Sequence, residues 1–114
     1  MKRNELILDL VGCEAEFNEK NIRDYINGLC KLIKMEKHGK LMLWEDSHNK
    51  IKELRGGISV VQFIKTSSIV LHSFETNKSC FVNIFSCKKF DPKKAIKFSK
   101  DFFKAKRLKS RKIE

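Results

Sequence analysis

No apolar run in this chain approaches the ~20 residues that a membrane-spanning helix needs, which sets aside a membrane protein. The N-terminus, Met1-Lys2-Arg3-Asn4-Glu5, leads into an apolar stretch broken by Asp9 and Glu14, a pattern that does not suit a signal peptide, so the expected location is the cytoplasm. The four cysteines, Cys13, Cys30, Cys80 and Cys87, stand singly with no C-x-x-C spacing, which excludes a zinc site or a thioredoxin-like motif and leaves reduced thiols as the expectation. There is no internal repeat and no low-complexity segment. Proline occurs once, at Pro92.

What is present is a soluble globular composition in one domain, residues 1–114, with 34% charged residues and an ordinary apolar share. Lys and Arg total 25 against 14 Asp and Glu, a formal charge of +11 that favours anionic partners such as nucleic acid. The densest run is Lys104 to Lys112, but lysines are scattered along the whole chain, and a solvated face accounts for them equally well. No helix-turn-helix, zinc finger or RNA-binding aromatic motif accompanies the charge, so a nucleic-acid-binding domain ranks last among the readings.

Glu5 to Val11 reads as a short buried strand ended by Gly12-Cys13. A helix follows, with Asn18 as N-cap, Ile22, Tyr25, Ile26, Leu29, Cys30 and Ile33 at three- and four-residue steps, and Gly39 as its stop. Lys40 to Glu45 is a second strand, and a polar connection runs from Asp46 to Gly57. Ile58 to Lys65, Ser68 to Glu75 and Ser79 to Cys87 are rich in valine, isoleucine and phenylalanine and read as strands, the last two joined as a hairpin. Asp91 and Pro92 open a second helix with Ala95, Phe98 and Phe102 along its stripe and Ile96 and Phe103 alongside. Arg107 to Ile113 is expected as a basic edge strand. This order argues for an α+β, two-layer sandwich, with two helices on one face of a mostly antiparallel sheet. The central strands carry apolar residues on both alternating sets, Phe81 and Phe85 against Val82 and Ile84, so the second face is expected to pack against a like sheet in a homodimer.

The chemically informative segment runs from Gly57 to Cys87. Ser67 lies between two strand-like runs, His72 lies five residues on, and Cys87 ends the next strand. Such residues serve nucleophilic or acid-base chemistry once a hairpin gathers them, while a lone histidine on an apolar strand is more often structural.

Gly57-Ile58-Ser59, Ser67, His72-Ser73-Phe74, Phe85-Ser86-Cys87 and then Asp91-Pro92 together resemble the motifs of the prokaryotic S-adenosylmethionine decarboxylase family, with matching spacing from Gly57 to Cys87. The resemblance implies an inactive precursor that cuts itself between Thr66 and Ser67. The Ser67 hydroxyl would attack the Thr66 carbonyl, and elimination and hydrolysis would leave a pyruvoyl group at the position of Ser67. Ser59 would steady the intermediate, His72 would remove the Cα proton, and Cys87 would donate a proton during decarboxylation. The implied cofactor is that pyruvoyl group with no metal, because a ketone joined to the substrate amine supplies the electron sink that loss of carbon dioxide requires. The implied product is the aminopropyl donor for spermidine.

Departures from the family pattern are specific. Thr66-Ser67-Ser68 replaces Glu-Ser-His, His72-Ser73-Phe74-Glu75-Thr76 replaces His-Thr-Trp-Pro-Glu, and Asn83 stands for an aspartate. The charged run Lys50-Ile51-Lys52-Glu53 occupies the segment where the family places an adenine-stacking aromatic. These differences keep open a decarboxylase of another amino acid, such as arginine or ornithine, and an uncleaved relative that regulates a partner.

Overall fold

The computed structural model describes all residues from Met1 to Glu114. The elements are β1 (Asn4–Cys13), α1 (Glu19–Leu32), β2 (Met42–Asp46), a 3-10 turn at Lys52–Leu54, β3 (Gly57–Ile64), β4 (Ser67–Phe74), β5 (Ser79–Ser86), α2 (Pro92–Phe103) and β6 (Ala105–Ile113). The strands form one sheet in the order β2-β3-β4-β5-β1-β6, and every neighbouring pair is antiparallel. Strand alternation sends Leu6, Leu8, Leu10, Ile58, Val60, Ile69, Leu71, Val82 and Ile84 into the single buried cluster that they share with the helices. Burial of each such side chain contributes about 1.5–3 kcal/mol.

Helix α1 starts where Asn18 Oδ1 accepts the Asn21 N–H at 2.8 Å, as its cap position requires. It stops well before Gly39: Ile33 closes the last turn on Leu29, and Lys34 takes the left-handed conformation at φ 57°. The residues that follow are held by the sheet instead, with the His38 N–H bonded to the Phe63 carbonyl at 2.8 Å and the Lys65 N–H to the Glu36 carbonyl at 3.3 Å. Tertiary pairing therefore ends this helix earlier than the glycine signal indicated.

Helix α2 begins where Asp91 accepts the Lys93 and Lys94 N–H groups, with Pro92 at its first position. Lys104, at φ 51°, ends it and turns the chain directly into β6, two residues ahead of the expected start. The helices lock together at Tyr25. Its hydroxyl lies 2.6 Å from Ser99 Oγ, and its ring stacks on Phe98 at 5.7 Å and packs against Phe102 and Phe103. Because Ser99 donates its own proton to the Ala95 carbonyl at 2.7 Å, Tyr25 is the donor in that pair.

Strand β1 does not end at Gly12-Cys13. Gly12 adopts φ +68° inside the strand, and the burial phase shifts across it, so that Cys13 rather than Gly12 follows Leu10 into the core. The opposite side of the sheet has no helix over it, and Phe81 (45% exposed), Phe63 (50%) and Trp44 (72%) stand there with Val61, Val70, Phe74 and Phe85 among them.

Candidate active site

The β3–β4 hairpin organises the site. Ile64 pairs with Ser67, leaving Lys65 and Thr66 as the connection, and that register sets Ser59 directly opposite His72. Ser59 Oγ and His72 Nδ1 lie 2.8 Å apart on the open side of the sheet. Phe81 of β5 is the next neighbour of His72 across the sheet, and its ring meets Phe74 edge-on at 5.2 Å.

Ser67 belongs to β4 itself, one residue earlier than the strand expected from the sequence, and this changes its orientation. It stands an odd number of residues from His72, so the two side chains point to opposite faces. Five residues of strand also separate them by roughly 16 Å. Ser67 is buried, and its hydroxyl donates to Ser86 Oγ at 3.1 Å. Ser86 is its cross-strand partner, so Cys87 follows immediately beside it in the chain. The structure thus brings Ser59 to His72, and Ser67 to the residue before Cys87, but it does not gather all four into one cluster.

Thr66, on the N-terminal side of Ser67, has φ +57°. A left-handed conformation at a β-branched residue is strained. A cavity of about 310 Å³ opens at this turn, with Lys34, Met35, Thr66, Ser67 and Lys88 in its wall.

The cysteines divide sharply. Burial pushes the Cys13 thiol up to about 11 and also raises Cys30 and Cys80, whereas Cys87 alone is not buried. Thiolate chemistry near neutral pH is therefore withheld from the three core thiols.

Sequence reading passed over several residues near these groups. Trp44 lies directly opposite Ser59 on β2, an exposed indole beside the Ser59–His72 pair, although no aromatic occurs in the Lys50 to Glu53 run. Strict alternation from Ser59 across β2 and β3 was the signal that pointed to it. Ser68 shares the open face with His72, between Phe63 and Phe85. Asn83 donates to Glu5 Oε2 at 2.7 Å, so the strand whose aspartate is missing still has a carboxylate beside it, supplied by β1. No group of three or more His, Cys, Asp or Glu residues is placed to hold a metal.

Comparison with known proteins bears on the whole of this arrangement. The family model for S-adenosylmethionine decarboxylase matches residues 4–114. The chain belongs to the S-adenosylmethionine decarboxylase family. It is thereby a carboxy-lyase of a pyruvoyl-dependent family, and the match takes in the hairpin, both helices and all six strands. Among solved structures, the adenosylmethionine decarboxylase from Aquifex aeolicus VF5 is similar in fold, with a TM-score of 0.79 at 18% identity over 98% of this chain and 88% of that one. No curated protein matches the sequence. The α+β sandwich of two helices on an antiparallel sheet is the architecture of this S-adenosylmethionine decarboxylase family member, and none of its helices is long and apolar enough to cross a membrane.

Proposed function

We propose that the chain is a proenzyme that cuts itself between Thr66 and Ser67 and then decarboxylates S-adenosylmethionine, in the cytoplasm, for spermidine synthesis. The observation that carries this reading is the pairing of Ser59 with His72 by the same hairpin whose turn holds a strained Thr66 ahead of Ser67. A pyruvoyl group fits the position: its precursor serine sits at the strand start, opposite Ile64 and hydrogen-bonded to Ser86, in the wall of a cavity that Lys88 also lines. When formed, that group supplies the electron sink for loss of carbon dioxide.

The remaining roles fall to this chain's own side chains. The family resemblance gives His72, its Nδ1 beside Ser59, the removal of the Cα proton, a role that requires it to reach Ser67 from the opposite face of the sheet. Cys87, the one thiol outside the core, delivers a proton to the decarboxylated carbon. Trp44 offers a flat face to the adenine, standing next to Ser59 on the open side. Glu5, tied to Asn83, supplies negative charge toward a cationic substrate. Two copies meet through these open faces as a homodimer, which covers Phe63 and Phe81 and encloses the site.

Denaturing mass spectrometry of the purified protein tests the reading. It should show residues 1–66 and a pyruvoyl-capped 67–114, with Ser67→Ala remaining intact and folded. A single uncut mass after prolonged warm incubation would defeat it and favour the uncleaved, regulatory relative. Release of labelled carbon dioxide from S-adenosylmethionine, arginine and ornithine then identifies the substrate, and release from arginine or ornithine alone would replace the substrate assignment.

A further inference from the structure

The hydroxyl that must attack the Thr66 carbonyl is already held in one orientation by a residue that the proposed mechanism has not used. Ser86 is fully buried, donates its proton to the Lys88 carbonyl at 2.7 Å and accepts the Lys88 N–H at 2.8 Å. A serine hydroxyl has one proton and two acceptor positions. With its proton spent on Lys88, Ser86 meets Ser67 only as an acceptor, which agrees with the Ser67-to-Ser86 hydrogen bond at 3.1 Å. The Ser67 proton is thereby turned into the sheet's buried side, and the Ser67 lone pairs are left without a protein donor.

No residue of the open face does this. Ser59 and His72 lie on the other side of the sheet, roughly 16 Å along the strand from Ser67. On the far side of the peptide to be cut, Thr66 holds its left-handed backbone. The amide is therefore flanked by a strained carbonyl residue and an oriented hydroxyl, both fixed before any chemistry begins.

We infer that Ser86 is a positioning residue for self-cleavage, acting through the Ser67 hydroxyl. This rests on the reading that Ser67 is the cleaving serine. In the step it prepares, the Ser67 Oγ–Thr66 carbonyl carbon bond forms and the Thr66 carbon–Ser67 nitrogen bond breaks. The hydroxyl proton ends on the Ser67 nitrogen, giving an ester with a free amine and requiring no other reactant. Serine is far too weak a base to keep that proton, so Ser86 orients it and does not remove it.

The test follows the appearance of the two fragments with time in the wild type and in Ser86→Ala, Ser86→Thr and Ser86→Val, with neutral hydroxylamine added in a parallel series to capture the ester. Threonine and valine have the same shape and differ by the hydroxyl, so this pair decides the matter even where the alanine variant folds poorly. Ser86→Ala and Ser86→Val should cut and form trapped ester about 10- to 100-fold more slowly, with Ser86→Thr close to wild type. Circular dichroism melts report any general loss of structure separately, and equal melting of the threonine and valine variants with unequal cutting supports the positioning role. Cutting by Ser86→Val at the threonine rate, while Ser67→Ala stays intact, overturns this inference and leaves the parent reading standing. A wild-type chain that never splits overturns both.

Discussion

Ser59 and His72 face each other across β3 and β4, Oγ to Nδ1 at 2.8 Å, on the side of the sheet that no helix covers. A histidine acting as a base needs one ring nitrogen free of its proton. That nitrogen is Nε2 when Nδ1–H donates to the Ser59 oxygen, and Nδ1 when the Ser59 hydroxyl donates to it. His72→Ala should therefore stall processing after the acyl shift, with elimination slowed by about 10²–10⁴-fold, the usual worth of a positioned proton acceptor. Added hydroxylamine should convert the stalled protein into two fragments whose second begins with an unmodified serine. Ser59→Ala should show the same stall more weakly, and normal pyruvoyl formation in His72→Ala would remove His72 from processing.

The open face makes its own prediction. Phe63 and Phe81 are half-exposed in the single chain, so replacing them costs little of the core. A charge introduced there opposes burial against a second sheet. Phe81→Glu should run as a monomer in size-exclusion chromatography with light scattering, at an unchanged melting temperature when compared at low concentration, while the unmodified chain runs as a dimer. A monomeric unmodified chain would sink the homodimer.

Where the helices cross, spacing is the sensitive quantity. A Cβ placed on Gly28 would lie 2.7 Å from Phe98 Cζ, in a ring that also stacks on Tyr25. Alanine in mid-helix normally gains up to about 1 kcal/mol over glycine, but overpacking costs about 1–3 kcal/mol. Gly28→Ala should therefore lose about 1 kcal/mol net in urea unfolding, and a gain would show that Phe98 yields without penalty. Tyr25→Phe should cost about 1 kcal/mol, because Ser99 keeps its bond to the Ala95 carbonyl and only one partner is lost.

Alkali provides a further check. The Cys13 thiol has an ordinary value of 9.0 and is pushed up to about 11 by burial, so between those values the folded chain holds a proton that the unfolded chain has released. Stability must then fall as pH rises from about 9 toward 11, and Cys30 and Cys80 act in the same direction. Thermal melts from pH 8 to 11 should slope downward, and Cys13→Ala should flatten part of that slope. An identical slope in the variant would show that Cys13 titrates alike in both states.

Local chemistry made much of this fold readable. Asn18 and Asp91 cap the helices as their residue types require, and the two apolar sets of β5 announce a sheet with two faces. The end of α1 was hidden, because it depends on residues 36–38 pairing with the distant edge at Phe63 and Ile64. The β3–β4 turn was hidden as well, since Lys65-Thr66 has neither glycine nor asparagine at the position that takes positive φ. Placing that turn one residue off puts Ser67 outside the strand and conceals both its orientation and its partner Ser86. With the turn placed, Ser59 opposite His72 follows from counting alone.

One edge of the sheet bears on how molecules of this kind avoid joining without limit. Strand β6 leaves its outer backbone groups unpaired, yet Lys106, Arg107, Lys109, Arg111 and Lys112 line it in full contact with solvent. Two such borders brought side by side would confront cation with cation, so strand addition is repelled and endless ribbons are blocked. The proposed homodimer would instead use the open face around Phe63, Val70, Phe74 and Phe81, where two-fold stacking closes on itself after a single partner.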